Sequence, residues 1–499
     1  MKVLFCSYEV APFFKKGGLG DVAGSLPKAL ANLGVDISVV MPGYDEVKSQ
    51  KLKVKSQDQE LKIKFAGREE IVRVDESVLP GSEVPIFFLE NERYLSELKE
   101  DRNENMEQFG FFSKAIAKFS QEHENIGFDL VHLNDWHTAL VPLLLKLPKE
   151  KWEVGSGKWE RPAILLTVHN FGHQGRAPLD LLNKLGIRQE DSRVLAWDTA
   201  DNDLEMLMEG IIHADLVNTV SPTYAKEIME SKVAGRLSEV LKGKEGRVKG
   251  ILNGIDYSVW NPETDKYLAV NYGLSARRKA QGAKLQLKTK NWREGKRKNK
   301  LALQEKLGLE TNGEMPLFAF VGRLASKQKG LEILYSAMIK LFKKAKFQFV
   351  LLGKGSQEWE EKFKKLATKE KQVATVIRFD EGLAHQIYAG ADFVLIPSQF
   401  EPCGLVQQIG MRYGALPIVR KTGGLADTVK DGINGFVFEE YRTEALIDCL
   451  KRGLQIFNSQ FSILNSMVER AIGENFSWKR SAKEYLKLYQ KAIEIWKER

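Results

Sequence analysis

The sequence has little cysteine and no long apolar run, and each shortage excludes a class of protein. Its three cysteines, Cys6, Cys403 and Cys449, are scattered and form no Cys-x-x-Cys pair. They predict free thiols in a reducing compartment, and neither a disulfide framework nor a zinc site. No run approaches the ~18 apolar residues of a membrane span, and no signal-type segment precedes the first predicted strand. We expect a cytoplasmic protein without a membrane partner.

Basic residues are not spread over the chain in the way that nucleic-acid binding requires. The net charge is +9, yet residues 277–300 alone hold eleven Lys or Arg against one acid, Glu294, so the rest of the chain has a net charge of −1. A nucleic-acid groove interleaves basic and aromatic residues over a surface, and this segment contains only Trp292. We predict a solvated surface loop at this insertion and no nucleic-acid partner. Binding of another polyanion is the alternative.

The chain is too long for one hydrophobic core, and its pattern changes about halfway along. With 499 residues and 43% apolar side chains it has material for two or three domains. Two series of alternating strands and helices predict two α/β domains, each with a parallel sheet that helices cover on both faces. A Gly- and Asn-rich stretch at 248–262 separates them and is interpreted as a hinge. We predict domains at residues 1–250 and 251–475, followed by a C-terminal helix at 476–499.

A glycine-rich segment occurs twice, about four hundred residues apart. Each copy reads Lys-x-Gly-Gly-Leu-x-Asp, follows an apolar strand and precedes a helix; the first is 15–21 and the second 421–427. Paired glycines let the backbone approach a ligand closely, and the following helix directs N–H groups and its positive dipole end to the same place. With a lysine at its mouth, such a loop predicts a phosphate site. The alternative for Lys15 is an ordinary surface lysine.

Most of the other chemistry-bearing residues also follow predicted strands. They are Asp135, His137, His169, Asn170, Arg323 and Glu401. Parallel sheets bind ligands beyond the carboxyl ends of their strands, so we expect these residues to gather at one edge of each sheet. If the strand ends of the two domains face one another, the residues line a single cleft.

Several of these residues also have a purely structural interpretation. His169 would merely cap its strand, and Asp135 with His137 would hold a loop together. Cys403 lies beside Glu401 but has no partner base in the sequence. We therefore expect Cys403 to contribute packing rather than nucleophilic catalysis.

Two patterns resemble metal sites and have better explanations. Asp201-Asn202-Asp203 spells Asp-x-Asp, but no predicted strand precedes it, so helix capping is expected. His169 and His173 are four residues apart, yet they follow a strand and no helix aligns them. We expect no metal and no other cofactor.

Taken together, the motifs resemble those of the bacterial glycogen synthases and plant starch synthases. The matching segments span the chain in the family's order: Lys15-x-Gly-Gly-Leu-Gly-Asp-Val, Asp135-Trp-His, Thr167-Val-His-Asn, residues 219–228, 251–256 and 260–262, Arg323 with Gln328-Lys-Gly, Pro397-Ser-x-Phe-Glu-Pro-Cys-Gly-Leu, residues 421–429, and Phe476-Ser-Trp. The resemblance implies the GT-B fold, with two Rossmann-like doubly wound domains facing across a deep cleft and a C-terminal helix that crosses back to the first domain. It also implies a retaining glucosyltransferase that extends an α-1,4-glucan from ADP-glucose.

The resemblance also implies roles for particular residues. Arg323, Lys329 and Lys15 correspond to the family's cations at the donor diphosphate. Glu401 corresponds to the carboxylate that hydrogen-bonds the donor sugar, and His169 to the histidine beside the donor glucose. We predict that these five residues are catalytic. The further donor-binding residues are expected to be Gly18, Asn253, Cys403, Gly404, Leu405, Thr422, Gly423 and Gly424, and the acceptor-side or structural residues Asp21, Asp135, His137 and Asn170.

The sequence departs from the family pattern in places that leave alternatives open. The spacing from Arg323 to Lys329 is one residue longer than the commonest bacterial spacing, so Lys327 competes with Lys329 for the diphosphate. A helix beginning near Gln328 is expected to hold Lys329 in its first turn. Met208 stands where a lysine is usual, which affects acceptor choice. UDP-glucose or a small acceptor, and a non-catalytic glucan-binding protein on the same fold, are the alternative functions; the oligomeric state is left open.

Overall fold

The computed structural model describes residues 1–48, 55–122, 127–147, 160–191, 193–230, 234–273, 291–325 and 328–498. The chain divides into two compact units. The N-terminal unit comprises Met1–Gly254 together with Trp478–Arg499, and the C-terminal unit comprises Ile255–Ser477. Within the described ranges, no helix is both long and apolar enough to cross a membrane.

The N-terminal unit is built on a nine-stranded sheet within the described part of the chain. The unit also contains a separate two-stranded antiparallel sheet, β8 with β9. The strands of both sheets are β1 (Lys2–Cys6), β2 (Asp36–Pro42), β3 (Lys55–Phe65), β4 (Arg68–Val78), β5 (Pro85–Glu90), β6 (Leu130–Asn134), β7 (Ala163–Val168), β8 (Arg176–Pro178), β9 (Asp203–Glu205), β10 (Leu216–Thr219) and β11 (Val248–Gly250). The spatial order is β11-β10-β7-β6-β1-β2-β5-β4-β3. β4 pairs antiparallel with both of its neighbours, β3 and β5, and the strands from β11 to β5 in this order pair in parallel.

Helices cover this sheet because its central strands are apolar on both faces. The side chains of β6 and β7 are buried throughout, as expected for parallel strands between two helical layers. The helices are α1 (Gly18–Ala31), α2 (Asp45–Lys48), α3 (Arg102–Glu122), α4 (Val141–Lys146), α5 (Asp180–Leu185), α6 (Arg193–Asp198), α7 (Met206–His213), α8 (Pro222–Glu230), α9 (Leu237–Lys242) and α18 (Trp478–Lys497).

The C-terminal helix α18 belongs to the N-terminal unit, as the sequence predicts. Its apolar face is buried against α1 and the sheet. Two of its tyrosines also make buried polar contacts: the Tyr489 hydroxyl lies 2.8 Å from Nδ1 of His132 in β6, and Asn218 in β10 donates to the Tyr485 hydroxyl at 3.0 Å. The helix therefore completes the core of a unit that begins nearly five hundred residues earlier.

The C-terminal unit contains a six-stranded parallel sheet in the order β14-β13-β12-β15-β16-β17. Its elements are α10 (Trp292–Lys306), β12 (Leu317–Val321), α11 (Leu331–Phe342), β13 (Gln348–Gly353), α12 (Gln357–Lys369), β14 (Val373–Ile377), α13 (Glu381–Gly390), β15 (Phe393–Ile396), α14 (Val406–Arg412), β16 (Leu416–Arg420), α15 (Gly423–Thr428), β17 (Phe436–Phe438), α16 (Thr443–Ser459) and α17 (Phe461–Gly473). Strand and helix alternate, which gives each parallel pair its crossover helix.

The basic segment at 277–300 is not a solvated loop over its described part. Residues 277–290 lie outside the described residues, whereas Trp292 to Lys300 belong to α10. Lys296 is buried and its ammonium donates to the carbonyl oxygens of Ala391 at 2.8 Å and Tyr413 at 3.1 Å; burial lowers the pKa of Lys296 to about 7. The prediction was wrong here because Lys296 and Lys300 share the inward face of a helix, where each finds an acceptor.

Candidate functional site

The predicted site residues of the N-terminal unit gather at the carboxyl ends of three adjacent strands. Strands β7, β6 and β1 are parallel neighbours, so the loops that follow them open at one edge of the sheet. In chain order, Lys15 lies in the loop after β1, with Gly18 and Asp21 in the first turn of the helix α1 that follows it; Asp135 and His137 come after β6, and His169 and Asn170 after β7. The folded unit thus brings together residues that lie far apart in the sequence.

Asp135 joins two of these loops and has an unusual backbone. Its φ is +57°, a conformation that non-glycine residues rarely adopt and that is found at functional sites. Its Oδ1 accepts the N–H of His169 at 2.6 Å, and its own N–H donates to the carbonyl of Thr167 at 2.9 Å. Burial raises the pKa of Asp135 to about 7, and Glu9 adds to the rise. The carboxyl group of Asp135 therefore holds the loop that carries His169.

His169 is held by a residue that the sequence analysis does not single out. Its Nε2 lies 3.0 Å from Oδ1 of Asn134, the last residue of β6, so this nitrogen carries the hydrogen and donates. The side-chain amide of Asn134 donates in turn to the carbonyl of Cys6 at 3.0 Å. Burial lowers the pKa of His169 to about 3. The imidazole is therefore neutral at physiological pH and contributes hydrogen bonds rather than charge.

His137 and Asn170 have structural contacts. The His137 ring is buried and stacks on Tyr8 with ring centroids 3.7 Å apart, and Phe109 meets its edge. Burial also lowers the pKa of His137 well below its ordinary value. Asn170 accepts the N–H of Gly172 through Oδ1 at 2.9 Å. These contacts shape the loops after β6 and β7.

Lys15 is paired in the structure with Asp21. The Lys15 ammonium lies 2.7 Å from Oδ1 of Asp21, and the two side chains are 41% and 40% exposed. Asp21 is in the first turn of α1, which begins at Gly18. An exposed pair of this kind holds its partners weakly, so the ammonium is available to a stronger anion.

The C-terminal unit repeats the arrangement at the carboxyl ends of β12, β15 and β16. These strands are adjacent and parallel. Arg323 follows β12 and is exposed, Glu401 to Leu405 follow β15, and Thr422 to Gly424 follow β16. Of the other predicted donor residues, Asn253 lies one residue before the end of the segment Met1–Gly254 of the N-terminal unit; its buried Oδ1 has no hydrogen-bond partner among the described residues.

Glu401 is the centre of this second group. It is 7% exposed, and its Oε2 accepts from the Lys329 ammonium at 2.7 Å and from the Ser398 hydroxyl at 2.9 Å. Both donors use the same oxygen, so Oε1 retains acceptor capacity. The structure thereby places a cation and a carboxylate side by side at the end of one strand.

Lys329 reaches Glu401 because its backbone lies along the end of β15. The N–H of Gln399 donates to the carbonyl of Gln328 at 2.8 Å. Gly330 has φ +66°, and a Cβ at this position would lie 2.0 Å from the carbonyl oxygen of Pro397, so only glycine fits. The helix predicted to begin near Gln328 begins instead at Leu331, and Lys329 precedes it; Lys327 lies outside the described residues.

The second glycine-rich segment packs on the backbone that carries Glu401. Gly423 has φ +44°, and a Cβ there would lie 2.0 Å from the Glu401 carbonyl oxygen. The N–H of Gly424 donates to the same oxygen at 3.1 Å. Thr422 and Cys403 are buried beside them, and the Cys403 sulfur lies 3.6 Å from Nε2 of Gln408. Close packing against residues 401–403 is therefore one reason for the paired glycines.

Phe379 is a further residue that the sequence analysis does not single out. It follows β14 at the same edge of the sheet and is 81% exposed. Among the exposed large hydrophobic side chains of the described residues, it has the highest exposed fraction. The sequence does contain a local indication that Phe379 lies in the turn after a strand, because an apolar strand precedes it and Asp380, whose side chain caps α13, follows it.

No group of three or more His, Cys, Asp or Glu within the described ranges is arranged to hold a metal ion. The capping role expected for Asp201-Asn202-Asp203 is wrong. Asp201 pairs with Arg236, Asp203 begins β9, and α7 begins only at Met206.

Two family models match the chain. The model described as "Starch synthase catalytic domain" matches residues 2–243, and "Glycosyl transferases group 1" matches residues 304–459. The first match covers most of the N-terminal unit and the second covers most of the C-terminal unit.

Full-length relatives and solved structures are also similar to this chain. It is 38% identical over 508 residues to proteins named glycogen synthase from Thermotoga maritima, covering 99% of both chains, and from Exiguobacterium sibiricum, covering 98% of this chain and 99% of that one. The catalytic domain of starch synthase IV from Arabidopsis thaliana, bound to ADP and acarbose, matches with a TM-score of 0.84 and 30% identity over 99% of each chain. Sucrose-phosphate synthase from Thermosynechococcus elongatus, at 18% identity and a TM-score of 0.59, shares the fold over 98% of each chain. The predicted α/β fold class is confirmed.

Proposed function

This chain belongs to the family of bacterial glycogen synthases and plant starch synthases, and from that membership we propose that it transfers glucose from ADP-glucose to the non-reducing end of an α-1,4-glucan with retention of configuration. Membership makes it a glycosyltransferase whose substrates are a nucleotide-sugar donor and a glucan acceptor. The finer assignments, the adenine nucleotide, the residues of the site and a reaction without metal, are the content of the proposal.

The observation that carries the proposal is the group formed by Glu401, Lys329 and Ser398. A buried carboxylate with one oxygen still able to accept suits the hydroxyl groups of a donor sugar. The ammonium 2.7 Å from it suits the adjoining diphosphate. Charges already in place when the leaving group becomes negative lower the barrier without reorganisation.

Three cations are proposed to neutralise the diphosphate. Lys329 lies beside Glu401, Arg323 is exposed at the end of β12, and Lys15 makes an exposed pair with Asp21. Together they supply the positive charge that a metal ion supplies in other nucleotide-dependent transferases. We propose that the reaction proceeds without a metal.

The exposed ring of Phe379 supports a nucleotide donor. It lies at the carboxyl end of β14, on the sheet that carries Glu401, and an exposed aromatic face offers a stacking surface to any base. The similar starch synthase IV domain was bound to ADP. We propose adenine as the base of the donor in this chain.

The proposed reaction takes place on one face of the donor glucose. The bond between C1 and the diphosphate oxygen breaks while the acceptor hydroxyl oxygen bonds to C1 on the same side, which retains the configuration. The departing phosphate oxygen accepts the hydroxyl proton, so the products are the elongated glucan and ADP. His169 is neutral at physiological pH because its pKa is about 3. We propose that it hydrogen-bonds the donor glucose without adding charge to the site.

An assay of two donors against two acceptors tests the proposal. ADP-glucose and UDP-glucose are each supplied with glycogen and with maltose, and transferred glucose is measured. We expect the highest rate with ADP-glucose and glycogen. A preference for UDP-glucose would identify it as the donor in place of ADP-glucose. Transfer to maltose alone would indicate a small acceptor. No transfer in any combination would favour a non-catalytic glucan-binding protein.

A further inference from the structure

The first glycine-rich loop is supported by an acidic side chain beneath it. Glu9 lies between β1 and α1 and is 1% exposed. Its Oε2 accepts the backbone N–H of Gly17 at 2.8 Å and also the N–H of Lys16. A buried carboxylate therefore takes the N–H groups just ahead of α1, where an external anion is expected to bind.

The second copy of the motif also has an N–H group that is hydrogen-bonded within the protein. The N–H of Gly424 is bonded to the carbonyl oxygens of Glu401, at 3.1 Å, and Pro402, at 3.2 Å. In each copy an acceptor from the protein itself therefore occupies part of the motif's N–H groups, those of Lys16 and Gly17 in the first and that of Gly424 in the second. The Lys15 ammonium, on a side chain that is 41% exposed, is accessible to a phosphate at the first loop.

Glu9 is packed closely enough to determine the path of the loop. A Cβ at Gly20 would lie 3.2 Å from Oε2 of Glu9 and 3.1 Å from Cγ of Lys15, so the carboxylate and the lysine stem share one small space. The carbonyl of Gly20 also accepts the N–H of Ala11 at 3.0 Å. Removal of the carboxylate would leave two N–H groups without their acceptor beside a cavity, and the loop would have to rearrange.

We infer that Glu9 is a positioning residue: its carboxylate holds the backbone at Lys16 and Gly17 so that the ammonium of Lys15 meets the donor diphosphate. The inference rests on the proposed function, in which Lys15 binds that diphosphate. Glu9 acts through Lys15 and does not itself contact the donor.

A double-mutant cycle tests the connection between the two residues. Glu9→Ala should raise the donor KM by about tenfold or more, whereas Glu9→Gln should stay within about threefold, because an amide oxygen still accepts both N–H groups. In a Lys15→Ala background, Glu9→Ala should change the donor KM by less than about twofold, since residues that act as one unit are not additive. Additive effects of Glu9→Ala and Lys15→Ala would overturn the inference.

Asp215 provides a matched control in the same unit. It is a fully buried carboxylate whose Oδ2 accepts the N–H of Ile164 at 2.8 Å, at the opposite, amino end of the sheet. Asp215→Ala removes this buried acceptor and also the bidentate partner of Arg161. Because Asp215 lies at the other end of the sheet from Lys15, any effect of this substitution should add to that of Lys15→Ala. Loss of additivity in this control too would mean that the cycle reports general destabilisation, and that result would also count against the inference.

Hydrogen exchange on the full-length protein without ligand gives a readout independent of activity. Glu9→Ala should speed amide exchange in a peptide that spans residues 15–21, and Glu9→Gln should not. Unchanged exchange in Glu9→Ala would overturn the inference whatever the kinetics. A different result would separate this inference from the proposed function: Glu9→Ala speeds exchange in the loop, but Lys15→Ala leaves the donor KM unchanged. In that case Lys15 does not bind the donor diphosphate, and the connection from Glu9 to donor binding is overturned. The conclusion that Glu9 holds the loop would still be supported.

Discussion

At the scale of single residues, the site depends on which partner each charged group takes. Lys15 pairs with Asp21 at the surface, whereas Lys329 pairs with the buried Glu401. Removing one member of a buried pair leaves the other charge poorly solvated, and that costs more than breaking an exposed pair. Substitutions at Lys329 and Glu401 are therefore expected to affect structure and activity together, and substitutions at Lys15 mainly activity.

Glu401→Ala should reduce kcat by on the order of 10² or more, because the lost carboxylate orients the donor sugar where charge changes in the transition state. Cys403→Ser, two residues away, should remain active, since the thiol is buried and packs on Gln408. Steady-state kinetics of both variants would check this. An inactive Cys403→Ser beside an active Glu401→Ala would reverse the assignment.

Lys329→Ala should raise the donor KM by about tenfold or more, because its ammonium is the one that the structure places 2.7 Å from Glu401. Lys327→Ala, the competing assignment from the sequence, should change the donor KM by less than about threefold. Measurement of KM for ADP-glucose in both variants decides between them. A strong effect confined to Lys327→Ala would move the diphosphate role by two residues.

At the scale of secondary-structure elements, helix α6, strand β9 and helix α7 each carry a buried acidic side chain, which are Asp198, Glu205 and Glu209 in that order. Burial raises the pKa of Asp198 and of Glu205 to about 7, with Glu209 adding to the rise at Asp198 and Arg236 opposing both. Arg176 lies 3.6 Å from Glu205, and His213 lies 3.2 Å from Glu209. Between their unfolded pKa values and about pH 7, Asp198 and Glu205 are therefore protonated in the folded protein and ionised in the unfolded chain.

The sign of the resulting pH dependence follows from the raised pKa values. Protonated Asp198 and Glu205 favour the folded state fully below their unfolded values of 3.8 and 4.5, and this contribution is lost as the pH rises through about 7. Asp135, whose pKa is also raised to about 7, acts in the same direction. The melting temperature should therefore fall as the pH rises from about 4 to about 7, and this cause should lower it little further above about pH 7. Asp198→Asn with Glu205→Gln should reduce this fall, and the exposed control Glu104→Gln should not; an equal fall in all three proteins would contradict the prediction.

Helix α18 contributes to the stability of the N-terminal unit through buried polar contacts as well as through its apolar face. Tyr489→Phe leaves a ring nitrogen of the buried His132 without its hydroxyl partner, which should lower the free energy of unfolding by about 1–3 kcal/mol. Lys487→Ala, on the exposed face, should change it by less than ~0.5 kcal/mol, since its pair with Glu484 is exposed. Denaturant unfolding of both variants checks this, and equal stabilities would count against the contact.

At the scale of the whole molecule, the proposed neutralisation of the diphosphate by Lys15, Arg323 and Lys329 predicts activity without a divalent metal. Transfer from ADP-glucose should continue in excess EDTA, because side-chain cations cannot be chelated away. The check compares rates with EDTA and with added Mg²⁺ or Mn²⁺. Activity that EDTA abolishes and Mn²⁺ restores would contradict the proposal.

The sequence predicted the elements of this molecule well because their signals are local. Apolar runs such as Ala163–Val168 predict buried parallel strands, and the spacing of Tyr485, Leu488 and Tyr489 predicts one apolar helix face. Local signals were weaker where an acceptor lies elsewhere in the chain. Lys296 looked solvated in a basic run, but its carbonyl acceptors are 93 to 117 residues away.

By itself the sequence determined the two series of strands and helices, the family, and the strand ends at which chemistry-bearing residues stand. Only the tertiary structure decided which atoms meet there: Glu401 with Lys329, 72 residues apart, and His169 with Asn134, 35 residues apart. It also placed the carboxylate of Glu9 under the Lys16–Gly17 backbone, where the sequence predicted an open anion site. The physical reason is that helix and strand preferences arise from neighbouring residues, whereas a hydrogen bond requires two groups within about 3 Å, and for groups far apart in the sequence only the completed fold sets that distance.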